Sequence, residues 1–135
     1  MERIIFILVL VILVFSNGVC NAEPAQQTTN TIPPTVPQIV GFNLCSKIYP
    51  VNSEKLFCET LSAISANKFT IKEIQSRSGY ILFSCGNKNF IATIATVDET
   101  HAIIKISPCD NNYFFPTGIV TNIYKYLDMS FNITS

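Results

Sequence analysis

Between Tyr80 and Ser107, three short apolar runs are separated by two compact turn signals, and that spacing makes the middle of this chain an antiparallel meander. The runs are residues 80–85, 90–97 and 102–107, each of strand length. Gly86-Asn87-Lys88-Asn89 supplies residues that tolerate the positive φ a tight hairpin demands. Asp98-Glu99-Thr100-His101 forms the second turn. Pro108 stops the last run, since proline cannot extend the ladder.

Helical patterns flank the meander. At Val51-Asn52-Ser53-Glu54, Asn52 or Ser53 can accept from the free amides of a first turn. Leu56, Phe57, Leu61, Ala63 and Ile64 then form an apolar stripe as far as Ala66, and Asn67-Lys68 ends it. Phe69 and Ile71 alternate with polar neighbours until Glu73-Ile74 breaks the period, which predicts a strand with a bend or bulge ending at Ser76-Arg77-Ser78-Gly79. After Pro116-Thr117-Gly118, Ile119, Val120, Ile123, Tyr124 and Leu127 form a second one-faced stripe. Met129 and Phe131 are expected to dock as the chain leaves that helix. The predicted fold is α+β: helix, three- to four-stranded antiparallel meander, helix, in two layers.

Pairing Cys85 with Phe90 and Val97 with Ala102 sorts side chains by parity. One face carries Tyr80, Leu82, Ile91, Thr93, Ala95, Val97, Ala102, Ile104 and Ile106, and its small residues leave room for helices. The other carries Ile81, Phe83, Cys85, Phe90, Ala92, Ile94 and Ile103, with Lys105 and Ser107 at its margin. Two layers bury one face, and the second is too apolar for water. The segment 41–50, the aromatic loop, a second copy or another protein are the candidates to cover it.

At the N-terminus, Met1-Glu2-Arg3, an apolar run over residues 4–15 and the small-residue exit Cys20-Asn21-Ala22 have the form of a secretory signal over residues 1–22. The run is short of the roughly 20 apolar residues a spanning helix needs. Lipidation at Cys20 would require a small residue where Val19 stands. Residues 23–40 are rich in Pro, Thr and Gln and read as a disordered tether. A single domain occupies residues 41–131 and a tail residues 132–135. The protein is therefore expected to be exported, periplasmic or secreted, with membrane attachment only through an uncleaved or lipidated N-terminus. Formal net charge is zero and 13% of residues are charged, so no basic stripe exists for nucleic acid and no polybasic segment for anionic lipid.

Four cysteines follow the signal: Cys45, Cys58, Cys85 and Cys109. An even count in an exported chain suggests disulfides. In a meander Cys85 and Cys109 face the same way but lie two strand spacings apart, about 9.6 Å, against a Cα limit of about 7 Å. Cys45–Cys58 is sterically easier, Cys85–Cys109 stays open, and four buried thiols are the alternative. No CxxC pair is present for zinc. His101, the sole histidine, lies beside Asp98 and Glu99 in a turn at the far end of the hairpin from Cys85 and Cys109, which separates the one available base from those nucleophiles. The expectation is a non-enzymatic chain with no catalytic, cofactor or metal residue. Tyr113, Phe114 and Phe115, in an asparagine-rich loop, either anchor a partner or plug the core. Asn132-Ile133-Thr134 fits an N-glycosylation acceptor.

The cadence "EIQSRSGYILFSC", then "NFIATIATVDETHAIIKISP", then an amphipathic helix resembles small bacterial cell-envelope domains such as that of the lipoprotein BamC. The likeness covers about half the chain. It implies a helix-on-sheet domain acting as an accessory part of an envelope assembly, and it assigns no functional residue. Two functions compete: a domain that binds another protein or itself through Ile81, Phe83, Phe90, Ile94 and Ile103 or through Tyr113, Phe114 and Phe115, and a small-molecule or lipid carrier with a cavity between sheet and helices.

Overall fold

A computed structural model describes residues 36–134. The expected signal, the region around Cys20 and most of the expected tether lie outside the described residues.

The fold is α+β. In chain order it comprises β1 (Gln38–Ile39), a 3-10 turn (Phe42–Cys45), β2 (Ser46–Tyr49), α1 (Ser53–Ala66), β3 (Thr70–Gln75), β4 (Tyr80–Cys85), β5 (Lys88–Thr96), β6 (Ala102–Pro108), β7 (Phe114–Phe115) and α2 (Gly118–Ser130). The main sheet is five-stranded and antiparallel, in the order β2-β6-β5-β4-β3. β1 and β7 form a separate two-stranded ribbon.

Local chemistry explains the element boundaries. Asn52 Oδ1 accepts the Lys55 amide at 2.8 Å and caps α1. At the other end Lys68 takes a left-handed conformation (φ 58°). Its amide then reaches Ser65 O, and the Phe69 amide reaches Ile64 O. The same closure ends α2, with Asn132 at φ 53° and the Ile133 amide on Asp128 O. β3 carries its irregularity between Ile71 and Glu73.

Two differences from the sequence reading reshape the sheet. Segment 41–50 was expected among the candidates to cover a face, but instead its 3-10 turn leads into edge strand β2 along β6. The second hairpin is also longer by one residue, because Thr96, not Val97, pairs with Ala102. Asp98 causes this: its Oδ1 accepts the Thr100 and His101 amides, each at 2.8 Å, while Val97 and Asp98 donate to His101 O. A one-residue slip turns every β6 side chain over. In the first hairpin Cys85 pairs with Lys88, not Phe90, a shift of two that preserves parity.

The covered face is therefore not the expected one. Ile81, Phe83, Phe90, Ala92 and Ile94 join Ala102, Ile104 and Ile106 in the core, against Leu56, Phe57, Ala63 and Ile64 of α1 and Ile119, Val120, Ile123 and Leu127 of α2. Both helices lie on this one side. The open face carries Tyr80, Leu82, Ile91 and Ile103, partly exposed, and Thr93, Ala95 and Lys105, exposed. Ile48 joins it opposite Ile103. A chain of aromatic contacts runs from the core to the surface: Phe69–Phe83 at 5.8 Å, Phe83–Phe90 at 5.6 Å, Phe90–Phe115 at 5.1 Å, Phe115–Tyr113 at 6.3 Å and Tyr113–Phe42 at 4.5 Å.

Candidate interaction surface

The ribbon is built where the chain leaves its Pro/Thr-rich segment, and pairing begins at Gln38. Ile39 lies opposite Phe114 and Gln38 opposite Phe115. Alternation along β7 then divides two adjacent aromatics: Phe115 is buried on Phe90, while Phe114 is 55% exposed. Ile39 is 84% exposed beside it. Phe42, 70% exposed, rests on Tyr113, and Val36 and Leu44 are exposed as well. Ile39 and Phe114 thus form an adjacent exposed apolar pair on one side of the ribbon, and Val36, Phe42 and Leu44 are exposed singly in the segment that leads through it. Isolated exposed apolar residues are ordinary, but two large ones side by side on a paired ribbon mark a candidate contact.

The ribbon's foundations are firm. The Val40 amide donates to Tyr113 O at 2.9 Å, and Gln38 Nε2 donates to Thr117 Oγ1 at 3.3 Å. In the loop before β7, Asp110 Oδ1 accepts the Asn112 amide, and Asn112 Oδ1 accepts the Phe114 amide. Lys88 Nζ meets Asp110 Oδ2 at 2.9 Å and lies over the Phe115 ring. That pairing and the Asn112 amide hold the Asp110 carboxyl below its ordinary pKa. The result is an apolar centre with a polar rim, the composition of a docking patch. Residues 36–44 and 110–117 contain no lysine or arginine.

The residues proposed from sequence as an interaction surface separate accordingly. Ile81, Phe83, Phe90, Ile94 and Phe115 are buried in the core. For the four sheet residues the reason is that the helices cover the face of Phe83 and Phe90 and not the face with the small residues Thr93 and Ala95; Phe115 plugs the core, the other of the two roles open to the aromatic loop. Ile103 is on the open face, Tyr113 is partly buried, and Phe114 is exposed. Ile39 and Phe42 were missed. Residues 36–44 show no period, so only the cluster of Val, Ile, Phe and Leu after a polar tether could have pointed to them.

All four described cysteines are free thiols, so neither expected disulfide is present. Cys45 is buried, and burial pushes its thiol pKa up, while Cys58 is exposed on α1. Asn89 pairs with Ser84 on one side, and the Cys109 amide donates to Asn89 O on the other. By parity Cys109 therefore sits on the side opposite Cys85, two strands away, and the slip in β6 removes the shared facing that the sequence suggested. His101 lies in the β5–β6 turn with its Nδ1 3.0 Å from Asp98 Oδ1, roughly 25 Å along the strands from those thiols. Among the described residues no group of three or more His, Cys, Asp or Glu side chains is placed to hold a metal, and no helix is long and apolar enough to cross a membrane.

Two polar features remain. An open cleft of about 530 Å³ at the start of α1 is lined by Ser53, Glu54, Phe57, Ser76, Arg77, Ser78, Gly79, Ile94 and Thr96. A nearly buried carboxylate, Asp128, receives Lys47 Nζ at 2.7 Å on both oxygens and the Tyr49 hydroxyl at 3.0 Å. Burial, then the Asp128 charge, raises the Tyr49 pKa far above its usual value. Tyr124, also buried, has a hydroxyl with no hydrogen-bond partner among the described residues, and burial raises its pKa likewise. No protein-family model matches the sequence, and no curated protein matches it.

Proposed function

We propose that this chain is an exported, non-enzymatic docking domain that presents its β1–β7 ribbon to another protein. The single observation carrying this reading is the exposed Ile39–Phe114 pair on a ribbon anchored by the buried Phe115. A rigid apolar anchor at the centre of a polar rim is how a few side chains come to dominate an interface. The partner's matching surface is an apolar groove. A lipid surface suits the ribbon less well, since interfacial binding draws on lysine and arginine around the apolar face, residues 36–44 and 110–117 have neither, and Lys88 beside the ribbon is paired with Asp110. The signal-like N-terminus supports a docking event outside the cytoplasm, and the resemblance to small envelope domains suggests an accessory role in an assembly there.

The carrier reading has less support. The space between sheet and helices is filled by Phe83, Phe90, Ile104, Ile123 and Leu127, all fully buried. The cleft at α1 is open, not enclosed, and mixes the hydroxyls of Ser53, Ser76, Ser78 and Thr96 with Phe57 and Ile94.

The test is a paired substitution, Ile39→Ser with Phe114→Ser, in the protein purified after export. Both side chains are exposed, so stability should change by no more than about 0.5 kcal/mol. A partner captured by the native protein from its own envelope or medium should be lost with the variant. Equal capture by a folded variant would show that the ribbon is not the docking surface.

A further inference from the structure

The open sheet face is a second surface, separate from the ribbon, with a carboxylate on one side of its central strand and a lysine on the other. β5 is the middle strand of five. Thr93 on β5 pairs with Tyr80 of β4 on one side and with Lys105 of β6 on the other, so these three side chains form one row across the open face. Tyr80 and Lys105 stand about 4.8 Å either side of Thr93. The Tyr80 hydroxyl donates to Glu73 Oε1 at 2.7 Å, which adds a negative charge to the Tyr80 side of the row. Lys105 has no carboxylate partner among the described residues. At the centre, Thr93 and Ala95 are small and exposed, so nothing there holds a second sheet away.

We infer that two copies of this chain pack open face to open face about a two-fold axis running along β5, with Glu73 and Tyr80 of each copy meeting Lys105 of the other. Such an axis exchanges the two sides of the central strand, setting β4 of one copy over β6 of its mate. Each Lys105 then gains a carboxylate and a phenol, and the contact occurs twice, as an isologous interface requires. Leu82, Ile91 and Ile103 supply the apolar body around it. The footprint, five strands wide and about six residues long, is about 500 Å² per copy. That is below the roughly 800 Å² per partner of a standard interface and puts the dimer among weak, transient contacts.

Sedimentation velocity on the protein purified after export, from about 10 μM to 1 mM, reads this directly. The native protein should shift from monomer to dimer across that range. Lys105→Glu and Glu73→Lys each set like charges against each other in their own homodimer and should raise the Kd about tenfold or more. An equimolar mixture of the two restores opposite charges at both contacts and should recover native-like association. Thr93→Lys, which opposes two cations at the axis, should abolish association without touching Glu73 or Lys105. A native protein that stays monomeric at 1 mM overturns the inference, as does a charge-swapped mixture no better than its components. A monomeric result leaves the ribbon untouched, because capture through Ile39 and Phe114 is measured separately.

Discussion

Asp128 is an acidic side chain on the buried stripe of α2, and removing its cation should unmask a substantial cost. It lies near the C-terminal end of the helix, where the aligned peptide dipoles already disfavour a negative charge by about 0.3–1 kcal/mol. Lys47 offsets this by contacting both carboxylate oxygens at 2.7 Å, and Tyr49 adds one hydrogen bond. Breaking a fully buried pair costs about 3–5 kcal/mol. Here the Lys47 side chain is 34% exposed, so solvent screening reduces the figure to about 2 kcal/mol. Lys47→Met should therefore lower the stability by about 2 kcal/mol, equivalent to a Tm drop of roughly 8–15 °C in a domain of this size. Asp128→Leu should cost less, about 1 kcal/mol, because the freed ammonium can turn to water. The double variant should lie within about 1 kcal/mol of the native protein, since no charge is stranded and the Tyr49 hydroxyl keeps its 3.4 Å contact to Tyr124 O. Urea denaturation followed by far-ultraviolet circular dichroism gives all four values. A coupling energy below about 0.5 kcal/mol in this cycle would refute the assignment of Lys47 as the group that makes the buried carboxylate tolerable.

Three further outcomes are expected. The Thr100 amide, then the His101 side chain and the remaining Thr100 and His101 donors, hold the Asp98 pKa down to about 2 from an ordinary 3.8. Its contribution to stability is present above the unfolded value and is lost as pH falls toward about 2, and a carbon-detected NMR titration with a midpoint near 3.8 would contradict the turn geometry. Gly79→Ala should destabilise by about 2 kcal/mol or more in thermal melts, because φ is +71° and a new Cβ would meet the Ile94 carbonyl, whose own amide donates to Gly79 O at 2.7 Å. Maleimide should label Cys58 and Cys109 in the native, unreduced protein and Cys45 only after unfolding; intact mass lower by 2 Da per pair before reduction would show disulfides instead.

Most of the frame was legible in the sequence because period and punctuation agree there. The α1 start at Asn52, the irregularity before Glu73, the β4–β5 hairpin and the α2 stripe all follow from short-range chemistry. What failed was non-local or a matter of one residue. Asp98 draws Val97 out of the ladder by accepting two amides, and a parity argument has no defence against such a slip. β2 escaped notice because Ser46–Tyr49 is four residues long and mixes Lys47 with Ile48 and Tyr49. Its identity as a strand comes from β6, more than fifty residues away. The ribbon is harder still, since two residues have no period at all, and β1 exists only because β7 pairs with it. Phe114 and Phe115 stand out together in the sequence as adjacent aromatics of one loop. Which of them points inward depends on that pairing and on Phe90 being in place to receive the ring.

Site-specific photo-crosslinking in the native compartment tests the docking role most directly. A benzophenone side chain at Phe114 should yield an adduct with a second polypeptide, and the same probe at Ser65, exposed on α1, should yield none. No adduct at Phe114, or equal adducts at both positions, would contradict a ribbon built to meet a partner.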